Sequence, residues 1–449
     1  MSQLSVTTEA GALLDAIRRK QAVDLVRGAT FVGALLLAWV SLQPFGDLSD
    51  AMLADLSNGN TTSTYVAFGG LSVLLLALVW RDNRPALMSL LSTGYMLFAG
   101  WIAVSVLLSI DPGTSIRRLV LTVCVISVAA TLTLLPKSAP EMVRWSSIAA
   151  LSLLAVCYLG VLLAPHLSMH LATDAQEPML AGNWRGTFGH KNLAAAVMAM
   201  MVFIGVYVAR SGNWISGVTI IVFASVFLFF SGGKSSFGLC LAVLALTSLA
   251  TLGPWLWLRA AMLFAPLAIL NMLSIGTVMS TTLAAIADKL PLDTSFTGRT
   301  DIWTFGVQAA QSRLWTGYGF SAFWGGNAVK NLPEGMEWAA TAAHSHNGYL
   351  DATLTMGLPG LLLVVAVLVV APLRDFQAAD CNGNAGPLAM LMCRIWLFGI
   401  YLSSLESFYF VRDDPIWFTF LVAIFCLHYL ARFRTREQAQ PSSSRTTGP

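Results

Sequence analysis

The stretch FLFFSGGKSSFGL, Phe227 to Leu239, sets two apolar runs on either side of a glycine-rich turn. A Gly-Lys-Ser sequence cradles a nucleotide phosphate when it joins a strand to a helix and a first glycine stands at the start of the loop. That first glycine would have to be residue 228, which is Leu228. Both flanks also read as membrane helices: LAAAVMAMMVFIGVYVA covers Leu193 to Ala209 upstream, and apolar residues continue to Ala250 downstream. The turn is therefore not a P-loop. It reads as a glycine turn at a membrane face that opens a helix from about Ser235.

The same pattern recurs along the chain. Of its 449 residues, 56% are hydrophobic and 11% charged, against about 25% charged in a soluble domain. Apolar runs centre near residues 35, 72, 97, 126, 155, 200, 222, 243, 267, 361, 396 and 422. These predict an all-α polytopic membrane protein of about twelve transmembrane helices. The net charge of +3 is small and reports orientation rather than nucleic-acid binding. A polar segment with Arg18, Arg19, Lys20 and Arg27 precedes the first run, too far from the start for a cleaved signal peptide. Residues 1–28 are expected in the cytoplasm, 29–432 in the membrane with one long loop at about 279–347, and 433–449 as a disordered cytoplasmic tail. Alternating the spans then puts Arg81, Arg84, Lys137, Arg144, Arg210, Arg259 and Arg374 inside, as the positive-inside rule asks. Both termini are expected in the cytoplasm. The six cysteines show no CxxC spacing, so neither a disulfide nor a cysteine-bound metal is expected.

Several cations defy that rule. Arg117, Arg118, Arg185, Lys191, Lys234, Arg299, Arg313, Lys330 and Arg412 fall outside or at the outer membrane edge, where an anionic ligand would hold them. Lys234 and Ser235 open a helix whose free N–H groups favour an anion; a tight turn with a snorkelling lysine is the alternative. In GNWRGTFGHKN, Gly182 to Asn192, Arg185, His190 and Lys191 gather at the entry of another span. The long loop holds FTGRTDIWTFGVQAAQSRLW, Phe296 to Trp315, which is amphipathic at helical spacing. Scattered acids there, such as Asp301, Glu334, Glu337 and Asp351, make no obvious catalytic pair. His344 and His346 stand at the mouth of the next span, in HSHNGYLDATLTMGLPG, and histidine can take a proton near neutral pH. A lone His-x-His is weak as a metal site. Arg394 and Glu406 are charges within or near the ends of one span and could pair or contact neighbours.

Together these segments resemble the O-antigen ligase and O-antigen polymerase superfamily of bacterial membrane glycosyltransferases. The ligase pattern H-[NSQ]-x9-G-x-x-[GTY] is met by His346, Asn347, Gly357 and Gly360. WRGTFGHKN, GRTDIW and HSHNGYLD look most like the exopolysaccharide polymerase branch. The resemblance implies a GT-C-like helical fold in the bacterial inner membrane, with its active site facing the periplasm. It implies an undecaprenyl-diphosphate-linked oligosaccharide donor, a glycan acceptor and contact with membrane lipids, with a chain-length regulator and a flippase as partners. No cofactor, metal or nucleic acid is implied. His346 matches the family's proposed general base. Arg185, Lys234 and Arg299 match positions proposed to bind diphosphate, with Lys234 standing where the ligases carry arginine. His344, Asn347, His190, Lys191 and Ser235 are supporting candidates. Polymerisation is the favoured activity; ligation of the glycan to lipid A core is the alternative, and transport by a flippase, for which no internal repeat speaks, stands third.

Overall fold

The computed structural model describes residues 2–49, 62–175, 177–250, 255–289, 299–324, 329 and 342–433. Lys330, Glu334 and Glu337, the Phe296–Gly298 start of the amphipathic stretch and the tail from residue 434 lie outside the described residues. The described chain is helical, joined to one isolated bridge between Met169 and Trp184. Among the described residues, eight helices are long and apolar enough to cross a membrane: Lys20–Val40, Thr62–Ser89, Pro112–Leu132, Ala139–Leu163, Lys191–Arg210, Leu256–Leu273, Gly348–Cys381 and Pro415–Arg432. Four shorter apolar helices, Thr93–Leu107, Trp214–Phe230, Lys234–Ala250 and Pro387–Leu402, complete the bundle. Each apolar run in the sequence falls in one of them. Large apolar side chains such as Leu107, Leu163, Leu162 and Phe229 face outward, a surface that suits hydrocarbon and not water. The chain is a multi-pass, all-α membrane protein.

Burial orders the bundle. The Pro415–Arg432 window is 94% buried and the Lys191–Arg210 window 78%, whereas Leu256–Leu273 is 11% buried. The first two are central, and Leu256–Leu273 faces outward. Small residues make the close approach possible: Ala194, Ala195, Ala196 and Ala199 are fully buried. A Cβ on Gly217 would come within 2.4 Å of the Ala209 backbone nitrogen on the neighbouring helix. The first span is tied to the last by Trp39, whose indole N–H donates to Thr419 Oγ1 at 2.9 Å. At the ends expected to be cytoplasmic, basic residues find acids: Arg27 with Asp82, Lys137 with Asp24, Arg259 with Asp380, and Arg432 with Asp375. Arg394, read from the sequence as a partner for Glu406 or a neighbour, takes the neighbour; its Nε donates to Thr247 Oγ1 at 3.1 Å.

The helix after His346 is broken by design of its sequence. Gly357 has φ 68° and ψ −174°, and Pro359 follows. Pro359 has no N–H, so the ladder cannot close across the break. The freed groups are all taken from outside. Tyr318 N–H donates to Leu354 O, Gly319 N–H to Thr355 O, Trp101 Nε1 to Met356 O, and Leu358 N–H to Leu314 O. The segment 314–319 thus lies directly on the break, and a Cβ at Gly357 would meet the Trp315 carbonyl at 2.6 Å. Gly357→Ala should therefore lower stability by about 2 kcal/mol or more, from strain at positive φ plus the clash. Thermal unfolding of the detergent-solubilised protein measures this. Gly69→Ala, in a helix where nothing lies within 4 Å, should leave the midpoint unchanged or raise it.

Candidate functional site

The loop from Ala342 to Asn347 is held from several sides. Trp303 lies on the Arg299–Ser312 helix, whose buried face is Trp303, Gly306 and Ala310; its indole donates to Ser345 O at 2.9 Å. Ser345 N–H donates to Asp351, which also accepts from Trp324 Nε1 at 2.8 Å. Asn347 is buried and caps the next helix, accepting from Tyr349 and Leu350 N–H at 3.0 and 3.1 Å. It also donates to Ser404 O at 3.0 Å, joining this loop to the segment 403–414.

Clamped on both sides, His346 adopts φ +55°, left-handed for a residue with a Cβ. Its N–H donates to His344 Nδ1 at 3.3 Å, and the two rings meet edge to face at 4.3 Å. Burial first, then the neighbouring His346, pushes His344 down to about 4, so it is a neutral acceptor that supports the strained backbone. Backbone strain of this kind collects at functional sites.

Glu406 organises the centre. Its Oε2 lies 2.8 Å from His346 Nδ1. Its Oε1 accepts from Arg299 Nη2 at 2.7 Å and from Asn192 Nδ2 at 3.2 Å. Arg299 also donates to Leu405 O. Burial alone would raise the Glu406 carboxyl, but the His346 hydrogen bond and the Arg299 charge hold it at about 2. An ionised carboxylate can only accept, so His346 Nδ1 is the nitrogen that donates to Glu406, and Nε2 is the position from which the neutral ring would accept a proton.

His344, His346, Glu406 and Asp414 line a cavity of about 450 Å³, within the range of small-ligand sites. Further polar lining comes from His170, Asp174, Glu177 and His190 before the Lys191–Arg210 helix, from Asn192 in its first turn, and from Ser407. Asp414 caps the last helix, accepting from Ile416 and Trp417 N–H at 2.7 and 2.8 Å. Burial pushes it up to about 7 against those bonds, helped by the charges of Asp413 and Glu406.

Of the residues singled out in the sequence, His346, His344 and His190 line the cavity, and Arg299 reaches it through Glu406. Arg185 does not. Its guanidinium is buried, donating to Phe188 O at 3.1 Å and Gly46 O at 2.7 Å, so it holds the loop that leads to His190. Lys234 and Ser235 are exposed at a helix start outside the lining. Lys191 lies beside that turn, its Nζ donating to Gly232 O at 3.3 Å.

Several amides at these two helix starts are already engaged. Lys191 N–H donates to His170 Nε2 and Asn192 N–H to His190 Nδ1. At the glycine turn, Gly233 N–H donates to Ser231 Oγ and Lys234 N–H to Gly232 O. These four amides are not open to an anion; the side chains of Lys191 and Lys234 stand beside them. Gly233 is there for packing, since a Cβ would meet Ala195 Cβ at 2.2 Å. The sequence reading did not single out His170, Asp174, Glu177 or Asp414, and took Glu406 for a span charge. The available signal was a carboxylate just past the end of an apolar run, on the side that carries His346.

The sequence profile of the O-Antigen ligase family matches residues 218–365. That segment contains Lys234, Arg299, His344, His346 and Asn347, and stops short of Arg185 on one side and Glu406 on the other. The exopolysaccharide production protein ExoQ of Rhizobium meliloti (strain 1021) is 34% identical over 137 residues, which is 30% of this chain and 30% of that relative's own length. Over the matched segment, which holds the His346 loop, the chain is similar to the O-Antigen ligase family and to an exopolysaccharide production protein.

Proposed function

We propose that this protein is an inverting, metal-independent glycosyltransferase of the bacterial inner membrane. It polymerises undecaprenyl-diphosphate-linked oligosaccharide repeats at the periplasmic face. The observation that carries the reading is the chain Arg299–Glu406–His346 at the cavity. Glu406 fixes the tautomer, and His346 Nε2 takes the proton of an acceptor sugar hydroxyl. The acceptor oxygen attacks the anomeric carbon from the face opposite the diphosphate. One C–O bond forms, the bond from the anomeric carbon to the phosphate oxygen breaks, and undecaprenyl diphosphate leaves with the electron pair. A diphosphate leaves readily, so its growing charge needs cations rather than an acid. Lys191 and Lys234 supply that charge, while Arg299 holds Glu406. Arg185 acts from behind by positioning the loop that ends in His190.

Similarity to an exopolysaccharide production protein favours polymerisation; the ligase name of the matched family keeps transfer to lipid A core as the second reading. One strain separates them. A deletion strain should accumulate single repeats on the lipid if the protein polymerises, and long lipid-linked chains if it ligates. Purified protein should then elongate the extracted single repeats in excess EDTA. Turnover that returns only with added Mg²⁺ or Mn²⁺ would overturn the metal-free scheme.

A further inference from the structure

The cavity and its surroundings divide the two chemical halves of a lipid-linked glycan. Around the base, the lining carries the carboxylates of Asp174 and Glu177, the Glu406 carboxylate that Arg299 offsets, and the Asp414 carboxyl that burial pushes up to about 7, and among the described residues that line it none is lysine or arginine. The two histidines beside Asp174 and Glu177 donate a hydrogen bond to each carboxylate, and the one from His190 holds the Glu177 carboxyl low. His170 Nε2 accepts from Lys191 N–H at 3.2 Å, so Nδ1 is the nitrogen that donates to Asp174, at 2.9 Å. His190 Nδ1 accepts from Asn192 N–H at 3.1 Å, so Nε2 donates to Glu177, at 2.8 Å. Each ring therefore has one N–H and one lone pair, both in use, and is neutral. These histidines orient carboxylates and are not spare bases.

A diphosphate beside Glu177 would face a carboxylate held low, with no lysine or arginine in the lining to offset it. A sugar presents hydroxyl donors instead. An ionised carboxylate has about four acceptor positions, and one histidine occupies one of them. Cations lie just beyond the lining, where Lys191 reaches Gly232 O and Lys234 is exposed.

We propose that the Glu177–His190 part of the cavity binds the neutral, hydroxyl-bearing end of the acceptor glycan, and that the donor's diphosphate stays outside near Lys191 and Lys234. The inference rests on the reading of His346 as base for an acceptor hydroxyl. Glu177 accepts hydrogen bonds from the sugar, His190 holds Glu177 in place, and anionic sugars are disfavoured in the cavity.

The probe is the free oligosaccharide, released by mild acid from the lipid-linked repeats of a deletion strain and titrated against the purified full-length protein. Glu177→Ala should weaken its binding about tenfold, the scale of one charge-assisted hydrogen bond. Glu177→Gln keeps an acceptor oxygen and should bind within about threefold of wild type. Excess inorganic pyrophosphate should not displace the oligosaccharide from the wild-type protein, a measurement that needs no variant to fold. Wild-type binding by Glu177→Ala, displacement by pyrophosphate, or no saturable binding to the wild type at millimolar concentrations would each overturn the proposal. The two readings fail separately. Undiminished turnover by His346→Ala removes the base, whereas unchanged oligosaccharide binding by Glu177→Ala removes only the subsite.

Discussion

His346→Ala should insert and fold as the wild type does and lose roughly 10²- to 10⁴-fold in turnover, the usual worth of a positioned general base. The fold has little reason to fail. Asn347 caps the following helix through its own side chain, and Trp303 holds the loop through the Ser345 carbonyl; neither bond uses the imidazole. Removing the Cβ-bearing imidazole also leaves the strained φ at that position to an alanine, so the loop's conformation must be checked alongside activity. Thermal unfolding and retention of oligosaccharide binding serve as those checks. His344→Ala should do less, because His344 supports the His346 backbone and does not take the proton in this scheme. A folded His346→Ala protein with near-normal turnover would end the base assignment.

Glu406→Gln should lower kcat by about a hundredfold or more, because a base histidine held by an amide loses the partner that fixes its tautomer and stabilises its protonated form. The substitution conserves shape, so KM should stay within a few-fold. A structural role alone would not produce the second result expected here: in a double-mutant cycle, His346→Ala with Glu406→Gln should be scarcely worse than His346→Ala by itself, since groups acting as one unit are not additive. Fully additive losses would mean that Glu406 works elsewhere, as a tie for Arg299 and Asn192. The His346 hydrogen bond and the Arg299 charge hold the Glu406 carboxyl low against burial, so activity lost as the pH falls from 7 to 5 is expected to follow protonation of groups other than this carboxylate.

The ligase-type pattern shows how far local sequence could lead. It located His346, and it named Asn347, Gly357 and Gly360 with equal weight. Only His346 lines the cavity. Asn347 is a helix cap, and Gly357 makes room for the Trp315 carbonyl at a helix break. The residues most tightly coupled to the base sit far along the chain. Glu406 is sixty residues beyond His346 and Asn192 is 214 residues before Glu406. No spacing rule links such positions. Arg185 shows a different case: read from the sequence as a ligand cation, it lies outside the cavity lining, with Nη1 and Nη2 donating to two backbone carbonyls.

By itself, the sequence determined the number and placing of the apolar helices, the membrane class of the protein and the histidine at the mouth of one span. These depend on hydrophobic length and local pattern, which the bilayer reads one segment at a time. Tertiary structure alone decided which charges meet. A partly buried carboxylate must find its donors in space, and here it finds them on three separate segments, at Arg299, His346 and Asn192. It likewise decided that the cavity is lined by histidines and carboxylates while Lys191 and Lys234 lie outside its lining, because the packing of the central helices, and not the order of residues along them, sets which side chains share one enclosed space.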